Sequence, residues 1–365
     1  MSDPGSTAAG PPDEGVRAEA APWQVGVGII GLGTISAVHL EGYRQAAGVA
    51  RVAAVCDTNA ELMSVHAANL GAKAYGDYRE LLGDPDVSMV DVLLPHSLHV
   101  PVVSAALEAG KHVLVEKPMA PTSADCDELV ALARSSGLTF TVAENTRFVQ
   151  AYIEVERLLA EGAIGTVRSV RTLIAGSEVA RLRDTSLWKG RRDGTVGGAI
   201  MDAGPHTFYL LGWLFGGVAE VRAQSAKLVE ESEVEDNALV TGRLANGGLF
   251  SAEFSFTAEI PWGERLEVYG SEGSIVVDQL VDPPVVLYKG EFDFDGTPVA
   301  GVERDSVWWK GGSIAAGVKD FVEALYAGRA PAIDPLDGVR AIRVVEAAYR
   351  SIDEGGAPVA LPPVS

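Results

Sequence analysis

The sequence predicts an α/β domain with a doubly wound parallel sheet, followed by an α+β domain with an open, mostly antiparallel sheet. Three observations support this fold class. The chain has 365 residues, enough for two domains of about 150 residues each. Up to about residue 146, short apolar runs alternate with amphipathic segments. Beyond that point, strand-like runs mostly follow one another with turn signals between them.

The composition argues against several classes of protein. Hydrophobic residues make up 47% of the chain and charged residues 22%, which is typical of a folded globular protein. The net charge of −21 repels phosphate backbones and anionic lipid headgroups, so we expect neither nucleic acid nor membrane as a partner. The two cysteines, Cys56 and Cys126, provide no disulfide framework, which favours a reducing compartment. Residues 1–19 lack a basic or apolar export signal, and we expect a cytoplasmic protein.

Residues 1–23 are predicted to be a disordered tail, and residues 24–146 to form the first domain. Buried parallel strands are apolar along their whole length, because helices cover both faces of the sheet. Segments such as His99–Glu108 and Ser123–Ala133 have the pattern of the intervening helices. The predicted strands are Val25–Ile30, Arg51–Cys56, Val90–Leu94, His112–Val115 and Phe140–Val142.

Residues 147–365 are predicted to form the second domain, which binds substrate and mediates oligomerisation. Asn246-Gly247 between two strand-like runs is a strong hairpin signal, because both turn positions tolerate positive φ. Two late helices, Ser313–Ala327 and Gly338–Ser351, are expected to pack back on the body. The predicted strands are Val167–Ile174, Glu220–Leu228, Ala238–Leu244, Leu249–Phe256, Leu266–Tyr269 and Ser274–Val277.

A glycine-rich turn follows the first predicted strand. Gly31 permits a tight turn, and Gly33 lets a pyrophosphate approach the backbone at the positive end of the following helix. The small Ser36 takes the third motif position, and Asp57 lies 21 residues further on, close to the expected offset for an acid that binds ribose. An acid there binds the 2′-hydroxyl and repels a 2′-phosphate, so this Rossmann-type pattern predicts NAD rather than NADP.

Two further motifs carry candidate chemistry. Glu116-Lys117-Pro118 directly follows a predicted strand, which places Lys117 at the edge where ligands bind in open α/β sheets. In Asp202-Ala-Gly-Pro-His206, Pro205 predicts a helix start, with a neutral His206 in the first turn and Asp202 orienting its ring. The alternatives are a surface lysine before a helix and a capping aspartate with an incidental buried histidine.

These motifs, in this order and spacing, resemble the family of glucose–fructose oxidoreductase, inositol dehydrogenase and rhizopine-catabolism proteins (Gfo/Idh/MocA), from Val25 onward. Two positions depart from the family pattern: Val196 begins the glycine triplet, and Tyr209 stands where an acid is often seen. These two departures are expected to affect which substrate binds more than which reaction is catalysed. The matching segments are Gly31-Leu-Gly33, Asp57, Tyr75–Leu82, Pro95 with His99, Ala109–Pro118, Asn145–Phe148 and Gly197-Gly198 leading to Asp202 and His206.

The resemblance implies hydride transfer between NAD and a secondary alcohol or ketone of a sugar, sugar derivative or cyclitol. Lys117 and His206 are then the catalytic pair and Asp202 supports them. The candidates for cofactor contact are Gly31, Gly33, Thr34, Ile35, Asp57, Leu94, Pro95, His99, Glu116, Lys117 and Asn145. The candidates for substrate contact are Lys117, Arg147, Trp188, Asp202 and His206. No metal site is expected.

Two other functions remain open on the same scaffold. One is an NAD-dependent glycoside hydrolase, in which the cofactor is reduced and regenerated within each cycle. The other is a regulator that binds a sugar or dinucleotide without turnover, although such a binder needs no proton-transfer pair. The open sheet of the second domain predicts a homodimer or homotetramer, because such a face is commonly buried against another subunit.

Overall fold

The computed structural model describes residues 24–290, 293–305 and 311–363. The predicted disordered tail, residues 1–23, lies outside the described residues. So does Trp308-Trp309, a pair that the sequence leaves open as an interface or a substrate wall. The first sheet has six strands: β1 (Val25–Ile30), β2 (Ala50–Cys56), β3 (Lys73–Tyr75), β4 (Met89–Val92), β5 (His112–Glu116) and β6 (Phe140–Ala143).

All strands of this sheet are parallel, in the order β3-β2-β1-β4-β5-β6. Every residue of β1 is buried, as expected for a strand near the middle of a sheet that is covered on both faces. The doubly wound arrangement confirms the predicted fold class. The helices between the strands are α1 (Ser36–Gln45), α2 (Ala60–Leu70), α3 (Tyr78–Leu82), α4 (His99–Glu108) and α5 (Ser123–Ser135).

The second sheet has nine strands in the order β14-β13-β12-β11-β7-β10-β9-β8-β15. Its neighbouring strands are antiparallel except for the parallel pair β7 and β10. The strands are β7 (Val167–Ala175), β8 (Val218–Ala226), β9 (Asn237–Leu244), β10 (Leu249–Ser255), β11 (Gly263–Gly270), β12 (Ser274–Asp278), β13 (Val285–Tyr288), β14 (Thr297–Pro298) and β15 (Val359–Ala360).

Helices cover one face of the nine-stranded sheet. The helices after β6 are α6 (Gln150–Ala160), α7 (Val179–Arg183), α8 (Arg192–Thr195), α9 (Ala199–Phe215), α10 (Gly311–Ala327) and α11 (Pro335–Asp353). Helices α9 and α11 pack against each other and against strands of this sheet, whereas α10 packs on α1 of the first domain. The opposite face of the sheet exposes two leucines, Leu239 and Leu249, together with charged side chains. The open, mostly antiparallel sheet of the second domain is therefore also as predicted.

The helix α9 differs from its prediction. It begins at Ala199 instead of Pro205, so His206 lies in its third turn and the predicted contact with the positive helix end is wrong. Pro205 removes only one backbone donor, and the packing of a helix with twelve buried residues outweighs that loss. The hairpin at Asn246-Gly247 is present, with Gly247 at a φ of 87°.

Candidate active site

A cavity of about 470 Å³ lies where the carboxyl ends of the parallel strands meet α9 and the second sheet. Its wall includes charged side chains from both domains, and apolar side chains such as Ile174, Ile260 and Trp262 from the second. A cleft of this size, mostly apolar with a few convergent polar groups, is typical of a small-molecule site. Six of the predicted site residues line it: Ile35, Glu116, Lys117, Asn145, Asp202 and His206.

The glycine turn at the start of α1 has the geometry that a pyrophosphate needs. Gly31 has a φ of 99°, and a Cβ added there would lie 2.2 Å from the Leu93 carbonyl oxygen. A Cβ added at Gly33 would meet no atom within 4 Å, so the space beside the turn is open. Among the described residues no side chain caps the start of α1, although the Ser36 and Val38 amides already donate to the Gly33 and Ile35 carbonyl oxygens at 3.0 Å and 3.1 Å. An anion at this helix end is therefore not displaced by a capping side chain. These residues fit a bound dinucleotide.

Asp57 lies at the carboxyl end of β2, next to the glycine turn. Its Oδ2 accepts the Leu32 amide at 2.8 Å, and its Oδ1 accepts the Asn59 amide at 2.8 Å. These bonds fix the carboxylate beside the turn and leave lone pairs on both oxygens for a further donor. The position is the one in which a ribose hydroxyl is expected in this fold.

Lys117 and Asp202 form an ion pair that joins the two domains at the cavity. The Lys117 ammonium lies 2.5 Å from Asp202 Oδ1 and donates a second bond to the Asp202 carbonyl oxygen at 3.0 Å. The ammonium of Lys189 lies 2.8 Å from Asp202 Oδ2, so one carboxylate bridges two lysines. All three residues line the cavity.

The charges of Lys117 and Asp202 depend on one another. Burial by itself lowers the pKa of Lys117, but the nearby charges of Asp202 and Glu116 outweigh burial and raise it. Burial by itself raises the pKa of Asp202, but Lys117 and Lys189 outweigh it, and the pKa lies well below its usual range. Lys117 is therefore a charged hydrogen-bond donor at neutral pH.

The orientation of His206 differs from the prediction. Its Nδ1 lies 2.6 Å from Glu144 Oε1, while Asp202 binds the lysines instead. Asp202 is therefore not the residue that orients the imidazole. Because Nδ1 donates to a carboxylate, the neutral ring carries its proton on that nitrogen, and Nε2 is the atom that accepts a proton.

Glu144 is suited to orienting the imidazole ring of His206. It lies directly after β6, 4% exposed, and its Oε1 also accepts bonds from the amide and hydroxyl of Thr146. Burial by itself raises the pKa of Glu144, but the charge and hydrogen bond of His206 outweigh burial and lower it to about 2. The carboxylate is thus ionised at every pH at which the protein is expected to work, and it stabilises a positive charge on His206.

A buried polar network lies behind the wall of the cavity. His39 on α1 is fully buried, with Nδ1 2.8 Å from Asp91 Oδ2 and Nε2 3.1 Å from Glu116 Oε1. The Tyr43 hydroxyl donates to the same Asp91 oxygen at 2.8 Å. The second Glu116 oxygen accepts the Lys117 amide at 3.0 Å. The network therefore connects the dinucleotide-binding helix to the backbone of Lys117.

Seven of the eleven predicted cofactor contacts are not among the residues that line the cavity: Gly31, Gly33, Thr34, Asp57, Leu94, Pro95 and His99. His99 is fully buried, and its ring nitrogens approach the carbonyl oxygens of Pro118 at 2.7 Å and Leu94 at 2.9 Å. His99 thus holds together the backbone after β4 and the Lys117-Pro118 turn, and its contact with a cofactor stays a prediction. Leu94 and Pro95 are half-buried beside the glycine turn, where a Cβ at Gly31 would lie 3.2 Å from the Leu94 side chain. Asn145, by contrast, does line the cavity, and its amide donates to the Ser313 hydroxyl at 2.8 Å.

Two predicted substrate contacts are also placed elsewhere. Arg147 lies 4.1 Å above the Trp213 ring and 3.2 Å from Glu156, on the outer side of α9. Trp188 packs its ring against His96 at a centroid distance of 5.0 Å. Neither residue lines the cavity, and the residue of the Trp188 segment that reaches it is Lys189.

Val196, which replaces the first glycine of the family triplet, has a φ of 56°. A β-branched residue in this left-handed region is strained by about 1–3 kcal/mol. The strained residue lies at the end of α8, two residues before Gly198, whose carbonyl accepts the Asp202 amide at 3.0 Å. The departure from the family pattern therefore lies close to α9, the helix that carries Asp202 and His206.

The sequence did not point to Glu144 or His39 as residues of the site, whereas Lys189 lies in the glycine-rich segment after Trp188 that was expected to lie over the cleft. For Glu144 a signal was present, because an acid directly after a parallel strand lies at the ligand-binding edge. The partners of Lys189 and His39 lie on other elements, so only the tertiary structure identifies them. Among the described residues, no group of three or more His, Cys, Asp or Glu side chains is arranged to hold a metal ion. In the same part of the chain, each helix is too short or too polar to cross a membrane.

Comparison with known proteins identifies both domains. Residues 25–144 match the model of an oxidoreductase family with an NAD-binding Rossmann fold, and residues 152–276 match the Gfo/Idh/MocA C-terminal domain. The fold and the matched models define an NAD-binding oxidoreductase. The chain belongs to the Gfo/Idh/MocA family, which confirms the resemblance found in the sequence.

Several relatives cover most of the chain. Myo-inositol 2-dehydrogenase of Thermotoga maritima is 28% identical over 337 residues, covering 90% of this chain and 96% of the relative. Trans-1,2-dihydrobenzene-1,2-diol dehydrogenase of Bos taurus is 32% identical, covering 63% of this chain and 67% of the relative. A crystal structure of an oxidoreductase domain protein from Kribbella flavida is 27% identical with a TM-score of 0.84, covering 93% of this chain and 100% of that one.

Proposed function

We propose that the protein is an NAD-dependent dehydrogenase or reductase that acts on a secondary alcohol or ketone of a sugar, sugar derivative or cyclitol. One observation carries the proposal: Lys117 and His206, from different domains, line one cavity beside the glycine turn. The relatives named as inositol and diol dehydrogenases support a ring with hydroxyl groups as the substrate.

The residues of the cavity divide the chemistry between them. The bound nicotinamide supplies the hydride acceptor or donor. His206 takes the proton of the substrate hydroxyl on Nε2 during oxidation and returns it during reduction. Lys117 donates a hydrogen bond to the same oxygen and stabilises the negative charge that develops there. Glu144 holds the ring of His206 in the required tautomer.

Cofactor choice and assembly are part of the proposal. Asp57 favours NAD because a carboxylate at this position accepts the 2′-hydroxyl and repels a 2′-phosphate. The open face of the nine-stranded sheet, with Leu239 and Leu249 exposed, is proposed to bind a second copy of the chain.

The test is a panel of inositols, free sugars and keto-sugars, with the absorbance of reduced nicotinamide followed in parallel for NAD and NADP. We expect net reduction of NAD by at least one polyol. Lys117→Ala and His206→Ala are expected to lower kcat by about a hundredfold or more. The surface variants Lys73→Ala and His66→Ala serve as matched controls and are expected to keep wild-type turnover.

The panel also separates the two alternatives. A glycoside hydrolase cleaves a glycoside without net formation of reduced nicotinamide, and a regulator binds the dinucleotide without any turnover. Near-normal turnover of the Lys117→Ala or His206→Ala variant contradicts the proposed roles of those residues.

A further inference from the structure

The part of the cavity wall that the second sheet contributes is largely apolar. Ile174 lies near the end of β7, Ile260 and Trp262 lie in the connection between β10 and β11, and Leu280 follows β12. These four side chains form the apolar wall. Ile260 is 46% exposed and Trp262 is 38% exposed. Covering such side chains with the apolar surface of a ligand removes both surfaces from water and stabilises the complex.

The apolar wall is held in place by the residues behind it. A Cβ added at Gly176 would lie 2.5 Å from Trp262 Cε3, and one at Gly263 would lie 2.7 Å from Leu280 Cγ, so each glycine makes room for a side chain of the wall. The Phe256 ring packs against the ring of Trp262 at a centroid distance of 5.4 Å. Because the wall is formed before a ligand arrives, binding to it costs little entropy of ordering.

The apolar wall comes from the domain that does not hold the glycine turn. The cavity residues of the first domain, such as Ile35 and Asn145, lie beside that turn and at the carboxyl ends of the parallel strands, where the dinucleotide is expected. A substrate held by Lys117 and His206 then lies between the cofactor and the nine-stranded sheet. The part of the substrate that is farther from the cofactor therefore meets the apolar wall.

The charged residues of the cavity disfavour an anionic substrate. Both lysines of the cavity, Lys117 and Lys189, are paired with the carboxylate of Asp202. Glu178 and Glu264 add two further acids from the second domain. Among the described residues, no arginine lines the cavity. A phosphate, a nucleotide diphosphate or a carboxylate on the substrate would meet more acids than cations, which costs free energy.

We propose that the substrate ring carries an apolar, uncharged substituent, an aryl or alkyl group, which packs on the apolar wall against Trp262. The proposal rests on the proposed function, because it takes the reacting hydroxyl to be held by Lys117 and His206. The substituent takes no part in the chemical step, so the apolar wall acts in affinity and specificity. The competing explanation is that the wall covers only the carbon face of an unsubstituted ring.

A series of secondary alcohols on one ring distinguishes these explanations. Cyclohexanol is the reference compound. The 2-, 3- and 4-phenyl isomers of cyclohexanol add an apolar group, and 4-hydroxycyclohexanecarboxylate adds a negative charge. The affinity of each compound for the complex of enzyme with NADH is measured by nicotinamide fluorescence, which does not require turnover. The kcat/KM for oxidation with NAD is measured for the same compounds.

The proteins compared are the wild type, Trp262→Ala, the conservative variant Trp262→Phe, Ile260→Ala and the matched control Leu228→Ala. Leu228 is also a large exposed apolar residue, at 67%, but it does not line the cavity. The affinity for NADH alone shows whether each variant is folded, and we expect it to stay within about twofold of the wild type.

We expect the wild type to bind at least one phenyl isomer about tenfold or more tightly than cyclohexanol, because part of an aromatic ring is removed from water. Trp262→Ala is expected to lose most of this gain, whereas Ile260→Ala and Trp262→Phe are expected to keep part of it. Leu228→Ala is expected to keep the whole gain. The carboxylate is expected to bind more weakly than cyclohexanol, because it meets the acids of the cavity.

Three outcomes overturn the proposal. They are a wild type that gains nothing from any phenyl group, as a wall for an unsubstituted ring requires, an undiminished gain in Trp262→Ala, and a carboxylate that binds more tightly than cyclohexanol. A wild type that shows the gain through Trp262 but oxidises no alcohol contradicts the proposed function alone. A wild type that oxidises alcohols with NAD but shows no gain contradicts the role of the apolar wall alone.

Discussion

At the scale of single residues, each side chain proposed to be catalytic has its own carboxylate partner. Glu144 binds His206, and Asp202 binds Lys117. This separation suits their proposed tasks, because His206 must change its protonation state while Lys117 keeps its charge. The sequence contains both acids, but their assignment to partners depends on where β6 and α9 bring them together.

Glu144→Gln tests the first pair. The variant keeps a side chain of the same shape but removes the negative charge that stabilises a protonated His206. We expect kcat to fall by about a hundredfold, while the affinity for NADH remains within about twofold of the wild type. Steady-state kinetics and a fluorescence titration measure these two quantities.

Glu156→Gln is the matched control for that variant, because Glu156 pairs with Arg147 away from the cavity. A Glu144→Gln enzyme as fast as this control contradicts the role given to the carboxylate.

Asp57→Asn tests the choice of cofactor. We expect the wild type to have a kcat/KM for NAD at least tenfold above that for NADP, because a 2′-phosphate is repelled by the carboxylate. In the variant, the asparagine side-chain oxygen can still accept the Leu32 amide. We expect the ratio of kcat/KM for NAD to kcat/KM for NADP to fall about tenfold. Glu61→Gln, in the first turn of α2, removes an acid nearby and is expected to leave the ratio unchanged. A wild type that favours NADP contradicts the assignment of Asp57.

At the scale of elements, the buried network around His39 joins α1, β4 and β5 behind the cavity. Burial by itself lowers the pKa of His39, but the charges and hydrogen bonds of Asp91 and Glu116 outweigh it and raise the pKa to about 10. Because folding raises the pKa of His39, its protonated ring stabilises the folded protein. This contribution is complete at pH values below the ordinary pKa of 6.5. That contribution is lost as the pH rises toward 10.

His39→Gln removes this contribution. We expect a loss of about 3 kcal/mol of unfolding free energy near neutral pH, because the buried Asp91 and the half-buried Glu116 lose their cationic partner. The difference from the wild type is expected to shrink as the pH rises from 6.5 to 10. Urea unfolding across that range measures it, with His66→Gln on the outer helix α2 as the control. A difference that does not vary with pH shows that His39 is not charged in the folded protein.

Element boundaries show which parts of the fold local patterns predict well. Five of the six parallel strands were predicted closely, because a buried strand is apolar along its whole length. The short edge strand β3 was not predicted, because it is mostly exposed and lacks that apolar pattern. The start of α9 was predicted six residues late, because the proline signal is local while the helix is stabilised by its packing on α11. Arg147 and Trp188 do not line the cavity for a related reason, because each side chain packs against an aromatic ring on another element.

At the scale of the whole molecule, the two sheets differ in what covers them. Within residues 24–290, 293–305 and 311–363, helices cover both faces of the parallel sheet but one face of the nine-stranded sheet. The residues of β9 alternate, with Ala238 and Val240 buried and Leu239 exposed, and β10 alternates in the same way with Leu249 exposed. A net charge of −21 opposes association, so contact between two copies has to come from apolar and paired groups on this face.

The proposed dimer is tested by placing a charge on that face. Leu239→Glu combined with Leu249→Glu is expected to shift the mass measured by light scattering at micromolar protein from dimer or tetramer toward monomer. Two leucines that are 45% and 53% exposed contribute to a contact only if a second copy covers them. Leu228→Glu, at an exposed leucine outside the strands, is expected to leave the mass unchanged. A monomeric wild type, or a double variant with the wild-type mass, contradicts an interface on the open sheet.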